Sequence, residues 1–366
     1  MCRPVLLPEF QCARLVLGDD RISHGRVPKL ALPGEPRTAP AATPAFPRPQ
    51  GKPPLLAILD LILPVFLVIA AGYGATFTPV FDAAAGRAVS AFVFNFAIPV
   101  MLFRAMAQMD GPAAGAGDLL LAFYIATATV FVCGILITRF GLGRPAGEAT
   151  ILGFAGAYGN TVLIGIPVVL TVFGEAGAFP AFLIISLHSL LFFTLVTVLM
   201  ELAGSANGEL RHLPGRILKS IAFNPIIIGL VLGLAVNRSG LVLPVVVDSF
   251  AELLGRAAIP CALFATGAAL RSFSIQGALP LASLLVVLKG VVHPMATLAV
   301  CTLLFDLPPA WVAVAVVMGA TPVGVNPYLF ASRYRVGEAE CATAIALSTP
   351  LAVVTITLAL AATGTH

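Results

Sequence analysis

Charge is scarce in this chain. Of its 366 residues only 10% are Asp, Glu, Lys or Arg, while 59% are hydrophobic; a typical soluble domain carries about 25% charged residues. So few charges cannot cover a soluble particle of this size, which excludes secreted, cytosolic globular, disordered and collagen-like classes. The net charge of +4 is small, and no basic cluster is interleaved with aromatics, so nucleic acid is not an expected partner. Cysteine is sparse as well. Cys2 and Cys12 lie near the start, and Cys133, Cys261, Cys301 and Cys341 sit inside apolar segments. No pair has the spacing of a disulfide framework or a metal site, so these last four read as small apolar fillers and no metal is expected. There is no Walker motif, so ATP is not the expected direct driver.

What the chain has is hydrophobic length. Its mean hydropathy is +1.00, and its apolar residues amount to roughly ten spans of about 20 residues each. Ten apolar segments follow one another at 55–75, 84–108, 117–138, 148–172, 178–203, 222–237, 242–268, 277–304, 310–332 and 338–362. In hydrocarbon a helix satisfies every backbone group within its own segment. Runs such as LILPVFLVIAAGYGA lack the alternating polarity of barrel strands. The expected fold class is an all-α membrane protein of ten transmembrane helices, seated in a lipid bilayer.

Residues 1–54 are of another composition, holding 12 of the 38 charged residues and 11 of the 29 prolines. This Pro/Arg-rich tail is expected to be disordered. It reads either as a linker, as a product of a start codon placed upstream of the true beginning near Leu55, or as a docking segment. Its early apolar run, Val5 to Leu7, is too short for a signal peptide. Among the short loops, one side of the membrane collects Arg87, Arg139, Arg144, Arg211, Arg216, Lys219, Arg271, Arg333 and Arg335, and the other only Arg238. The positive-inside rule then sets both termini outside the cytoplasm, in a cell (inner) membrane. The tail, with its own eight Lys and Arg, would lie on the unexpected side.

An internal repeat runs through the spans. Ala97-Ile98-Pro99 with Leu102-Phe103 recurs as Ala258-Ile259-Pro260 with Leu263-Phe264, and Pro64 meets Pro225, all at an offset of 161. Gly159 to Pro167 (GNTVLIGIP) aligns with Gly319 to Pro327 (GATPVGVNP) at 160, and His188 then matches Ser348. A five-span unit re-enters the membrane upside down, which makes a 5+5 inverted repeat: 55–203, a short cytoplasmic loop 204–221, and 222–362. Such repeats are a hallmark of secondary transporters.

Spans four and nine carry Gly and Pro in mid-run, the signature of interrupted helices whose unwound backbone lines a solvated site. Paired half-helix N-termini would suit a carboxylate. The expected substrate-binding residues are Asn160, Thr161, Gly165, Pro167, Pro322, Gly324, Asn326 and Pro327. These spans hold no paired carboxylates, HExxH or Ser/His constellation, so the chain is not expected to be an enzyme. Lys289 and His293 lie one turn apart in span eight and share a face. With His188 they are the candidates for proton or sodium coupling, His188 leaning towards a hydrogen-bonding role. The alternative for Lys289 is a pairing with a buried carboxylate or carbonyl. Glu252 and Arg256 are expected to pair along span seven, Arg104, Asp60 and Glu201 to snorkel near span ends, and Gly229 with Gly233 to allow close helix contact.

GNTVLIGIP, GATPVGVNPYLFASRY, FNPIIIGLVLGL and FVFNFAIPVMLF resemble the auxin efflux carrier family, in its bacterial branch, over residues 55–362. The resemblance implies a scaffold and a transport domain, spans four and nine crossing at their breaks, and organic anions moved by an elevator-like motion. It implies a substrate contact for Asn160, and small carboxylates such as malonate and malate, with no cofactor. Asn326 stands where plant members have Val, so the pocket is more polar than one for auxin. The long hydrophilic loop of many plant members is absent. A homodimer is implied by the same analogy. A sodium-coupled organic-anion symporter of the bile-acid type is the second carrier reading.

Overall fold

The computed structural model describes residues 54–108, 115–204, 215, 222–273, 275 and 278–364. The tail 1–53 lies outside the described residues, as does most of the loop 204–221, with Arg211, Arg216 and Lys219. Among the described residues every regular element is helical. The first half comprises α1 (Pro54–Ala75), α2 (Ala83–Phe92), α3 (Ile98–Ala107), α4 (Ala116–Leu136), α5 (Ala146–Ala157), α6 (Ile166–Phe173) and α7 (Ala178–Leu202). The second comprises α8 (Pro225–Ser239), α9 (Val245–Arg256), α10 (Ala258–Leu270), α11 (Leu279–Val287), α12 (His293–Leu303), α13 (Pro309–Ala320), α14 (Val325–Tyr334) and α15 (Glu338–Ala362). Single π-helical turns at Val93–Ala97, Ile137–Gly141, Thr161–Gly165 and Leu288–Val292 join or extend these helices.

Among the described residues seven helical stretches are long and apolar enough to cross a membrane: Leu55–Ala75, Ala84–Ala107, Ala116–Gly141, Thr161–Leu202, Val245–Leu270, Leu279–Leu303 and Glu338–Ala362. Pro225–Ser239 and Pro309–Ala320 are shorter apolar helices. The difference from ten segments has local causes. The fourth segment is cut into α5 and the stretch opening at Thr161, which runs on into α7, and the ninth is cut into α13 and α14. The sixth starts at Pro225 because Asn224 caps it, its side-chain oxygen accepting from Ile226 N at 2.9 Å and Ile227 N at 3.4 Å; proline at the first helical position costs no hydrogen bond.

The helices pack α1 against α10 and α15, α3 against α8, and α4 against α5 and α12. At Gly229 and Gly233 on α8 a Cβ would fall onto the carbonyls of Pro99 and Phe103. The absence of side chains there is what brings α3 and α8 backbone to backbone, as the spacing of the two glycines leads one to expect. Arg104 departs from the expectation that it snorkels. Its guanidinium grips Asp248 on α9 with both arms, at 2.7 and 3.1 Å, and reaches Glu252 at 3.4 Å. Arginine's planar fork matches a carboxylate, and the segment from Val245 places one within reach. Glu252 and Arg256 form the expected pair.

Candidate functional site

Two helix interruptions face each other. α5 stops at Ala157, and Tyr158 is extended (φ −89°, ψ 118°). Asn160 caps the next turn, its Oδ1 accepting from Leu163 N at 3.3 Å, and Pro167 occupies the first turn of α6, where a missing N–H costs nothing. α13 stops at Ala320 because Pro322 disfavours helical backbone at the residue before it; Thr321 accordingly turns to ψ 148°. Gly324 then caps α14 (φ −74°, ψ 160°).

The freed backbone groups pair across the gap. Asn160 N–H donates to Pro322 O at 2.8 Å, Gly324 N–H donates to Tyr158 O at 3.0 Å, and Gly159 and Val323 form an antiparallel bridge. Val323 N–H donates to Ser348 Oγ at 3.0 Å. Unpaired backbone in hydrocarbon costs several kcal/mol per group, which these bonds avoid. The pairing has two-fold character at an offset of 164, since Tyr158 answers Pro322, Gly159 answers Val323 and Asn160 answers Gly324. The motif alignment at 160 is therefore one helical turn out of step with the geometry at the breaks. Asn160 caps a turn, whereas Asn326 is the second residue of α14.

Beside the crossing lies a cavity of about 700 Å³, within the usual size of small-molecule sites. Of the expected site residues, Asn160, Thr161, Gly324 and Asn326 line it. Gly165, Pro167, Pro322 and Pro327 are buried behind it and hold the backbone. Gly165 is packed so tightly that a Cβ would lie 2.7 Å from Met318 Sδ. The sequence reading passed over Tyr158. Its hydroxyl accepts from Asn326 Nδ2 at 2.8 Å and shares a 2.8 Å hydrogen bond with Ser189. Asn95, Asn224 and Arg333 also face the cavity. Tyr158 directly precedes Gly159-Asn160, and that adjacency was the available signal.

The buried ionisable groups lie near one another but make different contacts: His188 and His293 both meet the Phe123 ring, at 5.9 and 5.7 Å, and Lys289 stands against Gly159. Lys289 is fully buried and donates to the Gly319 carbonyl, the carbonyl alternative of the sequence reading. His293 Nε2 meets Thr127 Oγ1 at 3.0 Å. Since that hydroxyl already donates to Phe123 O at 2.6 Å, the histidine is the donor. The two side chains bond to different helices, Lys289 to α13 and His293 to α4. His188 differs from expectation. Neither ring nitrogen has a partner among the described residues, and its ring stacks on Tyr158 at 4.4 Å instead. An aromatic cage of Phe123, Tyr124, Tyr158 and Phe192 offers faces, not acceptors.

Residues 57–360 match the family described as "Membrane transport protein". The chain belongs to that family. It is the auxin efflux carrier family that the motifs at the crossing resemble, so this is a membrane transporter and not an enzyme. The transporter is 28% identical over 304 residues to a protein of Rhizobium meliloti (strain 1021) described as "Putative malonate transporter", covering 82% of this chain and 94% of that relative.

Proposed function

We propose that this transporter moves small organic anions, carboxylates such as malonate and malate or auxin-like acids, by elevator-type alternating access around the crossing of spans four and nine. The observation that carries the reading is the reciprocal backbone pairing of the two interruptions beside a polar cavity of about 700 Å³. Unwound backbone at matched places in two inverted halves is the usual seat of a carrier's substrate. The proposed framework is ten spans in two five-span copies, 55–203 and 222–362, joined by the loop 204–221.

In this mechanism the turns opening at Thr161 and Val325 offer N–H groups without intrahelical partners and the positive ends of their dipoles. Asn160, Thr161, Gly324 and Asn326 surround the carboxylate, with Tyr158 and Ser189 bracing Asn326. Gly165, Pro167, Pro322 and Pro327 keep the two breaks in register. Lys289, His293 and His188 are the candidates for ion coupling, of which His188, stacked on Tyr158, has packing as its competing role. Arg333 lies on the cavity wall and belongs to the arginine-rich side in the sequence. The cavity then opens to the cytoplasm, both termini face outward across the inner membrane, and the state is inward-open. A homodimer completes the proposal, and crosslinking in native membranes checks it.

Proteoliposome uptake tests the reading. The panel is labelled malonate, malate, an indole acid and a bile acid, each with imposed proton or sodium gradients. Saturable uptake of a small carboxylate is expected. Sodium-driven bile-acid uptake favours the symporter reading, and no uptake of any carboxylate contradicts both.

A further inference from the structure

A buried lysine stands at the crossing. α13 ends at Ala320, and the last carbonyls of a helix have no intrahelical donors. Side chains meet three of them: Thr321 Oγ1 donates to Met318 O at 2.7 Å, Lys289 Nζ to Gly319 O, and Thr355 Oγ1 to Ala320 O at 3.2 Å. Carbonyl and hydroxyl oxygens gathered at the negative end of a helix dipole are what a hard monovalent cation binds. The Lys289 ammonium bonds one of these oxygens, the Gly319 carbonyl.

It also touches the other break. A Cβ built on Gly159 would lie 2.8 Å from Lys289 Cε and 3.0 Å from its Nζ. Gly159 lines the substrate cavity, so the ammonium sits directly behind that wall. The lysine is aimed there from the π-helical turn Leu288–Val292, a distortion often found at functional positions. Among the described residues no Asp or Glu is buried, and no three His, Cys, Asp or Glu side chains are grouped to hold a metal ion. No side-chain carboxylate in the buried interior therefore cancels this charge.

We infer that Lys289 is a tethered counter-cation. It occupies the place a co-transported sodium ion would take, offsets the charge of a carboxylate bound on the far side of Gly159, and frees transport from sodium. The ammonium acts through the wall and not by contact, so Lys289 is a positioning residue. The inference rests on the crossing being the substrate site.

The test is uptake of labelled malonate into proteoliposomes containing sodium, potassium or choline as the sole cation. Wild type, Lys289→Ala, Lys289→Gln and Asn160→Ala are compared, together with the thermal midpoint of each purified protein. Wild-type uptake is expected to be the same in all three cations. Lys289→Gln, which can still donate to Gly319 O, is expected to fold and to lose uptake at least about tenfold. In Lys289→Ala, sodium is expected to fill the space left beside Gly319 O, raising the midpoint and restoring part of the uptake, with no such shift in wild type. Wild-type uptake that collapses in choline, or a Lys289→Gln protein as active as wild type, overturns the inference. Should Lys289→Ala fail to fold, these two results still decide it. Wild-type uptake that survives Asn160→Ala removes the proposed site instead. Sodium-driven uptake that still needs Asn160 removes only the tethered cation.

Discussion

Asn326 Nδ2 donates to the Tyr158 hydroxyl at 2.8 Å, joining residues 168 positions apart in the chain. The same phenol is shared with Ser189 at 2.8 Å, and its ring stacks on His188. The two interruptions are thus held by side chains as well as by backbone. Tyr158→Phe removes the hydroxyl and keeps the stack. A hydrogen bond of this kind contributes about 1 kcal/mol, so the Michaelis constant for malonate is expected to rise about fivefold with the fold intact. Uptake kinetics and a melting curve check both halves of the statement.

Asn160 and Asn326 act differently, although both are asparagines at a break. Asn160→Ala loses a cap, worth about 1 kcal/mol, as well as a cavity amide, so thermal stability and uptake both fall. Asn326→Ala is expected to lose uptake with little change in stability, since its amide bonds a hydroxyl and caps no helix. Membrane insertion is expected to be normal for both, as judged by expression and size-exclusion profile.

His188 packs against aromatic rings, with neither ring nitrogen bonded among the described residues, and we propose for it a packing role ahead of coupling. His188→Phe is expected to keep the aromatic stack and retain most of the uptake. His188→Ala opens a cavity in the cage and is expected to cost roughly 3 kcal/mol of stability. A parallel loss of activity in both variants would return His188 to a coupling role.

Gly229 and Gly233 set the approach of α8 to α3. Gly229→Leu drives a side chain into the Pro99 carbonyl, and overpacking of this kind costs about 1–3 kcal/mol or more. A lowered thermal midpoint is expected, whereas Gly240→Ala, with open space around it, is strained only by its positive φ and is expected to lower the midpoint less.

Much of this was written in the chain. Scarce charge and long apolar runs gave the helices, and Gly with Pro in GNTVLIGIP and GATPVGVNP marked where two of them stop. Pro322 and Pro327 carry that signal through rules that need no tertiary context. The rest depended on contacts between distant residues. Motif identity aligned Gly159 with Gly319, while hydrogen bonding pairs Gly159 with Val323, because the register of a crossing is set by backbone geometry and not by matching letters. Arg104 looked like a terminal snorkelling residue until Asp248 was within reach. Lys289 and His293 lie one turn apart in the sequence, yet their partners, Gly319 on α13 and Thr127 on α4, are set by tertiary packing.

The proposed elevator motion would carry the crossing from one face of the membrane to the other. With native cysteines replaced, Val162→Cys on the cavity wall is expected to react with a membrane-impermeant thiol reagent from the cytoplasmic face in one state and from the outer face in the other. Saturating malonate is expected to slow both reactions. Labelling from one face only would be evidence against the motion.

The central claim is that a carboxylate binds between the two interruptions. Its most direct test is equilibrium binding of labelled malonate to the purified transporter and to Asn326→Ala, with a melting curve establishing that both are folded. Saturable binding to wild type, weakened at least about tenfold in the variant, is the predicted result, a loss of about 1.4 kcal/mol. Equal affinity in the two folded proteins would contradict it.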